Sequence, residues 1–310
     1  MRAGSVLAGL LLLASCDLFP DPGPNPQARP ADLDTSARVA EPSARSVELQ
    51  QYYARLQRSF QTRGLSRTDG GGFDTPYTNA DVARNFERIA FFDEFEVGQG
   101  LKRASGEPGR MAKWTGPVRI AVEFGAHTTL EQREVIPGLV AGYAQRLSRI
   151  TGHPISTTSA NANMHVLVAG IDDKDDTIAR FRELEPNLSE ASINIVRNLS
   201  RKTLCFVVTF SEPAAESKIY KGIVLIRAEL PEPMVQGCVH EELAQGLGLR
   251  NDSAQARPSI FNDDEEFALL TSHDEELLRL LYHPSLKPGM TLNQARPLIK
   301  RILEGQPGQI

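Results

Sequence analysis

The chain has 310 residues, of which 41% are hydrophobic, and a formal net charge of −5 at pH 7. That length and hydrophobic content are sufficient for one well-buried domain with an N-terminal extension. Lys and Arg form no cluster interleaved with aromatic residues, so the composition argues against a nucleic-acid partner.

The N-terminus has the features of an export signal. Arg2 precedes a short apolar segment, residues 6–13, which is too short to span a bilayer. Residues 13–16, with the sequence Leu-Ala-Ser-Cys, resemble the lipobox of bacterial lipoproteins, in which cleavage before the Cys leaves that residue to be acylated. The sequence therefore predicts a signal peptide at residues 1–15 and a lipid anchor on Cys16. The alternative is an ordinary secretory signal followed by a chance Cys.

Acylation of Cys16 implies that a lipid bilayer is a partner and that the protein faces the periplasm from the bacterial cell envelope. Asp17 resembles the signal that retains lipoproteins at the inner membrane. Residues 16–45 are rich in Pro and small polar residues, which predicts a semi-extended tether. Residues 46–310 are expected to form one α+β domain, with an N-terminal helical part at 46–113 and a core at 114–310.

Hydrophobic periodicity and helix-end signals predict the first elements of this domain. Helices are expected at residues 46–63 and after Asn79, which would cap the second helix. Residues 118–124 alternate as a strand, and a long helix then opens with a capping-box pattern and ends at Gly152. Pro137 lies inside this helix and should kink it or mark its true start.

The second half of the domain alternates short strands and helices. The sequence predicts strands at 165–169, 204–210 and 223–228, short helices at 177–184 and 189–199, and a terminal helix at 292–303. The last two strands are expected to be antiparallel neighbours. Pro231 and Pro233 mark the start of the helix that follows them.

Two Cys residues remain once Cys16 is set aside. Cys205 falls in a predicted strand and Cys238 in the helix that follows Pro233. In an oxidising compartment such a pair tends to form a disulfide, which would fix the helix to the sheet. The alternative is two buried free thiols that act as small apolar side chains.

The helix that carries Cys238 combines an apolar stripe with a cluster of polar residues at 237–252. The stripe recurs every four residues and consists of Val235, Val239, Leu243 and Leu247. Glu241 and Gln245 are four residues apart and therefore share another face. Gly248 supplies the left-handed residue that ends a helix, and the chain can then turn back to bring Asn251 near that face.

This arrangement resembles the metal site of metzincin-type zinc peptidases. From Glu241 the chain has the sequence Glu-Glu-x-x-Gln-x-x-Gly, which follows the pattern His-Glu-x-x-His-x-x-Gly-x-x-His with the His ligands replaced. The resemblance implies that Glu241, Gln245 and Asn251 occupy ligand positions and that Glu242 occupies the position of the general base. It also implies a zincin-like α+β fold, with a twisted mixed sheet, a long packing helix, a polar active-site helix and a C-terminal helix.

The same region is also similar to a family of exported bacterial proteins of unknown function that includes lipoproteins. The runs that carry this similarity are His-Glu-Glu-Leu, Pro-Ser-Ile-Phe-Asn-Asp-Asp and Phe-Ala-Leu-Leu-Thr. Phe261, in the second run, lies where metzincins carry a Met. The family resemblance implies no established activity.

Two functions are therefore weighed. The first is a non-catalytic envelope module that binds a protein or peptide, needs no cofactor, and uses the polar cluster to brace its fold. The second is a hydrolase in which Glu242 is the general base and a divalent cation is held by Glu241, Gln245 and Asn251. Three accessory ligands are considered for that cation: His240, Asp252 and Asp263.

A Ser-His-Asp arrangement is also considered. Ser259, His273 and Asp274 lack the spacing that accompanies a nucleophile, and the sequence predicts that they are surface residues.

Overall fold

The computed structural model describes residues 39–93, 106–211, 217–262 and 264–305. The predicted signal peptide, Cys16, Asp17, most of the predicted tether and Asp263 lie outside these residues. All of the described residues belong to one compact unit that begins at Val39. Within them, no helix is both long enough and apolar enough to cross a bilayer.

Two helices precede the sheet. They are α1 (Ala44–Thr62) and α2 (Asn79–Phe91). The residue that caps α2 is Thr78 and not Asn79, because Thr78 and Asp81 form a reciprocal capping box. The prediction for this cap was therefore wrong by one residue.

In the described residues the sheet has six strands and mixed direction. Four of them correspond to the predicted strands, whereas β1 and β3 were not predicted. The strands are β1 (Lys113–Trp114), β2 (Val118–Phe124), β3 (Ile155–Thr157), β4 (Met164–Ala169), β5 (Cys205–Ser211) and β6 (Lys218–Arg227). The order across the sheet is β3, β2, β4, β6, β5, and β1 pairs with the first two residues of β6. All neighbours are parallel except β5 and β6, which are antiparallel as expected.

Six further helices and a 3₁₀ turn follow in the described residues. They are α3 (Leu130–Thr151), the turn Ile171–Asp173, α4 (Lys174–Leu184), α5 (Glu190–Arg197), α6 (Glu232–Gly246), α7 (Ser272–Tyr282) and α8 (Leu292–Glu304). The order of strand, long helix, strand, helical pair, two strands, polar helix and closing helix is confirmed. Helix α3 starts at Leu130 and continues through Pro137, so Pro137 does not mark its start.

Helices pack on both faces of the sheet, and successive side chains of the central strand β4 show why. Val166 and Val168 belong to the larger core, which includes side chains of α3, α6 and α7. Leu167 belongs to a smaller core with Phe181 of α4 and Ile193 of α5. Because side chains alternate along a strand, both faces of β4 are buried, and all of its residues except His165 are apolar.

The last residues of the predicted tether contact the folded unit. Ala40 donates its backbone N–H to the carbonyl of Ala126 at 3.3 Å. Ser43, the N-cap of α1, donates its N–H and its hydroxyl to the two carboxylate oxygens of Asp172, at 2.7 and 2.6 Å. Helix α1 therefore begins on the edge of the sheet where β2 and β4 end.

Candidate functional site

Helix α6 lies against β5 and β6 through the apolar stripe that the sequence predicts. Val235, Val239, Leu243 and Leu247 are all buried in the larger core. The helix begins after Pro231, whose fixed φ suits that position. The Cys205–Cys238 disulfide, with a Cα–Cα distance of 5.9 Å, links the helix to β5 and confirms the predicted pairing.

Gly248 ends the helical segment in the way that the sequence predicts. Its φ is +127°, in the region that favours glycine, and a Cβ atom there would lie 2.2 Å from the carbonyl oxygen of Ala112. The chain thus turns directly against the backbone that precedes β1. Any side chain at this position would separate the two segments.

Two acidic residues of α6 lie close together beside the disulfide. One carboxylate oxygen of Glu241, one of Glu242 and the Sγ atom of Cys205 all lie within 4.8 Å of one another. Glu242 is only 4% exposed. Glu241 is half-buried and lines a small cleft of about 120 Å³ between α6, α1 and the segment before α7.

The two amides of the predicted ligand set are engaged with other protein groups. Gln245 donates from Nε2 to Oδ1 of Asp252 at 3.2 Å, which ties the end of α6 to the turn that follows it. Asn251 is buried and donates from Nδ2 to the carbonyl of Arg88 in α2, also at 3.2 Å. The structure thus brings Asp252 to Gln245 and directs the Asn251 amide to α2.

The side chain of His240 is held by contacts within the protein. Its Nδ1 accepts a hydrogen bond from the backbone N–H of Leu270, and its ring stacks on Tyr143 with a centroid distance of 4.0 Å. The Tyr143 hydroxyl in turn donates to the His240 carbonyl. Burial, helped by the positive charge of Arg146, lowers the pKa of His240 to about 3. The imidazole is therefore neutral and its Nδ1 is occupied.

These contacts determine how well the predicted set fits zinc. Zinc prefers thiolate and imidazole ligands. Here the Cys205 sulfur is in a disulfide, the Nδ1 of His240 is occupied, and both amides donate to protein oxygens. The carboxylates of Glu241 and Glu242 are oxygen ligands, which suit a harder cation better than zinc.

Ser259, His273 and Asp274 are buried, so their predicted surface position was wrong. The carboxylate of Asp274 accepts hydrogen bonds from the Ser259 hydroxyl and from the backbone N–H groups of Ile260 and Thr271. Asp274 therefore caps α7 and fixes the preceding loop at once. Ser259 and Asp274 therefore hold the loop before α7 in place, which is a structural role for buried polar residues.

A second polar group, which sequence reasoning missed, lies where β6 ends. Glu229 is 3% exposed. Its Oε1 accepts a hydrogen bond from the N–H of Ile171 at 2.6 Å and one from the Ser46 hydroxyl at 3.5 Å. Its Oε2 is buried and accepts no hydrogen bond from the residues that the structure describes. Burial raises the pKa of this carboxyl.

Glu229 lines a cleft of about 310 Å³ at the carboxyl end of the parallel strands. The lining comes from α1, from the start of α3, and from the β6–α6 connection with the start of α6. It consists of Gln50, Thr129, Glu131, Gln132, Val135, Ile136, Ala228, Glu229, Leu230, Pro231, Glu232 and Val235. The charged residues of this lining are all acidic, and much of the rest is aliphatic.

One sequence signal could have indicated this cleft. In open α/β sheets, ligands bind outside the carboxyl ends of the parallel strands. Glu229 is an acidic residue two positions beyond a buried parallel strand, and Thr129 follows the end of β2 on the same edge. This signal can be used only when the parallel pairing is known, and sequence periodicity alone does not predict that pairing.

Taken together, the fold and the site define a mixed α/β domain with an acidic cleft beside its parallel strands and a braced polar helix. The chain belongs to the family described as "Protein of unknown function (DUF2927)", which matches residues 79–301. The match includes α6 and every residue of the Glu229 cleft except Gln50. No curated protein and no solved structure matches the chain.

Proposed function

We propose that this protein is a lipid-anchored, non-catalytic binding module of the bacterial cell envelope, and that the Glu229 cleft is its binding site. The observation that carries the proposal is a buried carboxylate in a cleft with aliphatic walls and only acidic charges. The engaged side chains of α6 and of the segment after it support the non-catalytic part, because His240, Gln245 and Asn251 form hydrogen bonds within the protein.

The chemistry of the cleft selects the ligand class. Glu131, Glu229 and Glu232 favour a positive charge, and Val135, Ile136 and Leu230 favour an apolar body. A ligand N–H that reached Oε2 of Glu229 would satisfy a buried acceptor. The ligand is therefore a primary ammonium group on a short apolar stem, either as a free amine or as a Lys side chain of an envelope peptide. A volume of about 310 Å³ is at the small end of ligand pockets.

The test uses n-hexylammonium as the probe and n-hexanol as its neutral counterpart. We expect n-hexylammonium, but not n-hexanol, to raise the melting temperature of the full chain, because a ligand that binds only the folded state stabilises it. Glu229→Gln should weaken binding by about tenfold or more, since a hydrogen bond to a charged group contributes about 1.5–3 kcal/mol.

Glu134→Gln is the matched control. Glu134 lies exposed on α3, outside the cleft lining, so its substitution should leave the affinity unchanged. Equal binding of the amine and the alcohol, or full binding by Glu229→Gln, would contradict the proposal.

The anchor is tested separately. We expect the full chain, expressed in a bacterium, to partition into the detergent phase and to incorporate labelled palmitate. Cys16→Ser should abolish both properties, whereas Asp17→Ser should change only the membrane in which the protein is found. Incorporation of palmitate by Cys16→Ser would refute the anchor.

The metzincin-like origin of the scaffold is part of the same proposal. Its support is that a polar helix is followed by a glycine turn, with Gly248 at φ +127°. In this view the former metal site has become a brace, and Phe261 is fully buried where a Met would stand.

A second candidate function is a metal-dependent hydrolase, and the short separation of the Glu241 and Glu242 carboxylates favours it. Glu241, Gln245 and Asn251 would hold a hard divalent cation, with His240, Asp252 and Asp263 as accessory groups and Glu242 as the general base. Elemental analysis of the purified oxidised protein tests this candidate. Stoichiometric metal, together with hydrolysis that is lost in Glu242→Gln, would favour it over the binding module.

A further inference from the structure

The disulfide and the acidic pair of α6 occupy one corner of the molecule. Cys205 Sγ lies within 4.8 Å of a carboxylate oxygen of Glu241 and of Glu242, and Cys238 Sγ is bonded to Cys205 Sγ. Cys238 precedes Glu241 by three residues and Glu242 by four, so the three side chains share one face of α6. Three groups that can bind a metal therefore lie together, from β5 and α6, and the sulfur of Cys238, which is bonded to Cys205, is a fourth donor beside them.

Access to this corner is provided by the small cleft. Cys238 and Glu241 both line it, together with Leu204, the residue next to Cys205. The cleft therefore leads an ion to Cys238 and Glu241, two of the four groups.

We propose that reduction of the Cys205–Cys238 disulfide converts this corner into a zinc site with two thiolate and two carboxylate ligands. The disulfide sulfur atoms are poor ligands, because it is the thiolate that binds metals. Two thiolates with carboxylates are a donor set that zinc accepts in tetrahedral geometry. The oxidised and reduced forms of the protein therefore differ in their affinity for zinc.

The reaction balances with a dithiol as the reductant. The dithiol gives two electrons and two protons to the disulfide, the S–S bond breaks, two Cys thiols form, and the dithiol becomes a cyclic disulfide. Zinc binding then releases both thiol protons to solvent. At a Zn–S distance of about 2.3 Å, tetrahedral ligands stand roughly 3.7 Å apart, so the two sulfur atoms must separate by rotation of their side chains.

This site is independent of the binding module proposed above. It uses no residue of the Glu229 cleft, and it requires the reduced protein, whereas the hydrolase candidate requires metal in the oxidised one. In the reduced form zinc would take over the link between β5 and α6 that the disulfide provides in the oxidised form.

The test is a titration of the full chain with Co²⁺, in a Cys16→Ser background that leaves Cys205 and Cys238 as the only thiols. The protein is reduced with dithiothreitol and desalted without oxygen. We expect one equivalent of Co²⁺ to give a thiolate-to-metal charge-transfer band in the near ultraviolet and tetrahedral bands in the visible. One equivalent of Zn²⁺ should remove them, and the oxidised protein should give none.

The variant Glu241→Gln/Glu242→Gln keeps both Cys residues and should bind Co²⁺ at least tenfold more weakly. Glu134→Gln, at an exposed position of α3 outside both clefts, is the control and should bind as the parent does. The reduced parent in denaturant should give no band, which separates a folded site from two free thiols. Equal binding by the oxidised protein, equal binding by the double Gln variant, or no stoichiometric band in the folded reduced protein would overturn the proposal.

Discussion

Two buried titratable residues, Glu229 and His240, make the stability of this protein depend on pH in opposite directions. Burial raises the pKa of the Glu229 carboxyl and lowers the pKa of the His240 imidazole. In each residue burial disfavours the charged form, because the charge has less access to water. Arg227 lies close enough to oppose the shift in the pKa of Glu229, and Asp172 adds to it.

For Glu229 we expect folding stability to be lost as the pH rises. The folded protein holds the proton more tightly than the unfolded chain, whose ordinary pKa is 4.5. The contribution is therefore full below that pKa and is lost as the pH rises through the raised pKa. Glu229→Gln should remove this loss, so urea unfolding at about pH 4 and about pH 8 should show a smaller difference in the variant. Parallel behaviour of the two proteins would show that Glu229 is not the cause.

For His240 the sign is reversed. The pKa falls from 6.5 to about 3 in the folded state, so only the unfolded chain takes up a proton between those values. Stability is full above the unfolded pKa of 6.5 and is lost as the pH falls towards 3, by up to roughly 4 kcal/mol. His240→Gln keeps an acceptor for the Leu270 N–H. In urea unfolding, the free energy of unfolding of this variant should fall less between pH 6.5 and pH 3 than that of the parent. A variant as acid-sensitive as the parent would refute this assignment.

At the scale of elements, replacing glycine by alanine should have opposite effects on stability at the end of α6 and in the interior of α3. Gly248→Ala should destabilise the protein by about 3 kcal/mol or more, because its φ is +127° and the added Cβ would lie 2.2 Å from the Ala112 oxygen. Gly142→Ala, in an exposed helical position with open space around the Cβ, should stabilise it by about 0.5–1 kcal/mol. Denaturant midpoints measure both, and similar values for the two variants would contradict the prediction.

The link between α6 and β5 has its own energetic contribution. Replacing both Cys205 and Cys238 by Ser should destabilise the protein by about 3–4 kcal/mol, because the disulfide closes a loop of 33 residues in the unfolded chain. Equilibrium unfolding of the oxidised parent and the double variant measures this difference. A difference under about 1 kcal/mol would mean that the packing of α6 alone holds it in place.

Elements with strong local signals could be predicted, and very short ones could not. Helix α3 combines a capping box with a terminal glycine, so the sequence predicts both of its ends. Strands β1 and β3 have two and three residues, and nothing in so short a segment distinguishes a strand from a loop. They are defined by their pairing with longer strands, β1 with the first two residues of β6 and β3 with β2.

The candidate site shows the same division between local and distant information. The turn at Gly248 and the disulfide follow from residues near each other in sequence or from a unique pair of Cys residues. The contact of Asn251 with the Arg88 carbonyl depends on the packing of α2, because Arg88 lies 163 residues before Asn251. The Glu229 cleft depends on three elements at once, which no local pattern encodes.

At the scale of the whole molecule, the attachment of α1 to the sheet is the feature to test. Asp172→Ala removes both hydrogen bonds that Ser43 donates, so we expect faster hydrogen exchange at the start of α1. Asp175→Ala, at an exposed position in the first turn of α4, is the control and should leave that exchange unchanged. Unchanged exchange in Asp172→Ala would show that packing of α1, and not this pair of bonds, fixes its start.

The attachment at Ser43 also has a mechanical consequence. Force applied at the N-terminal end of the described chain would act on the Ala40–Ala126 and Ser43–Asp172 hydrogen bonds, which lie nearer to that end than any paired strand. Asp172 is covalently joined to Ile171, whose N–H holds the carboxylate of Glu229. If the N-terminus is anchored as proposed, tension on it would therefore be transmitted through Asp172 and Ile171 to Glu229 in the acidic cleft.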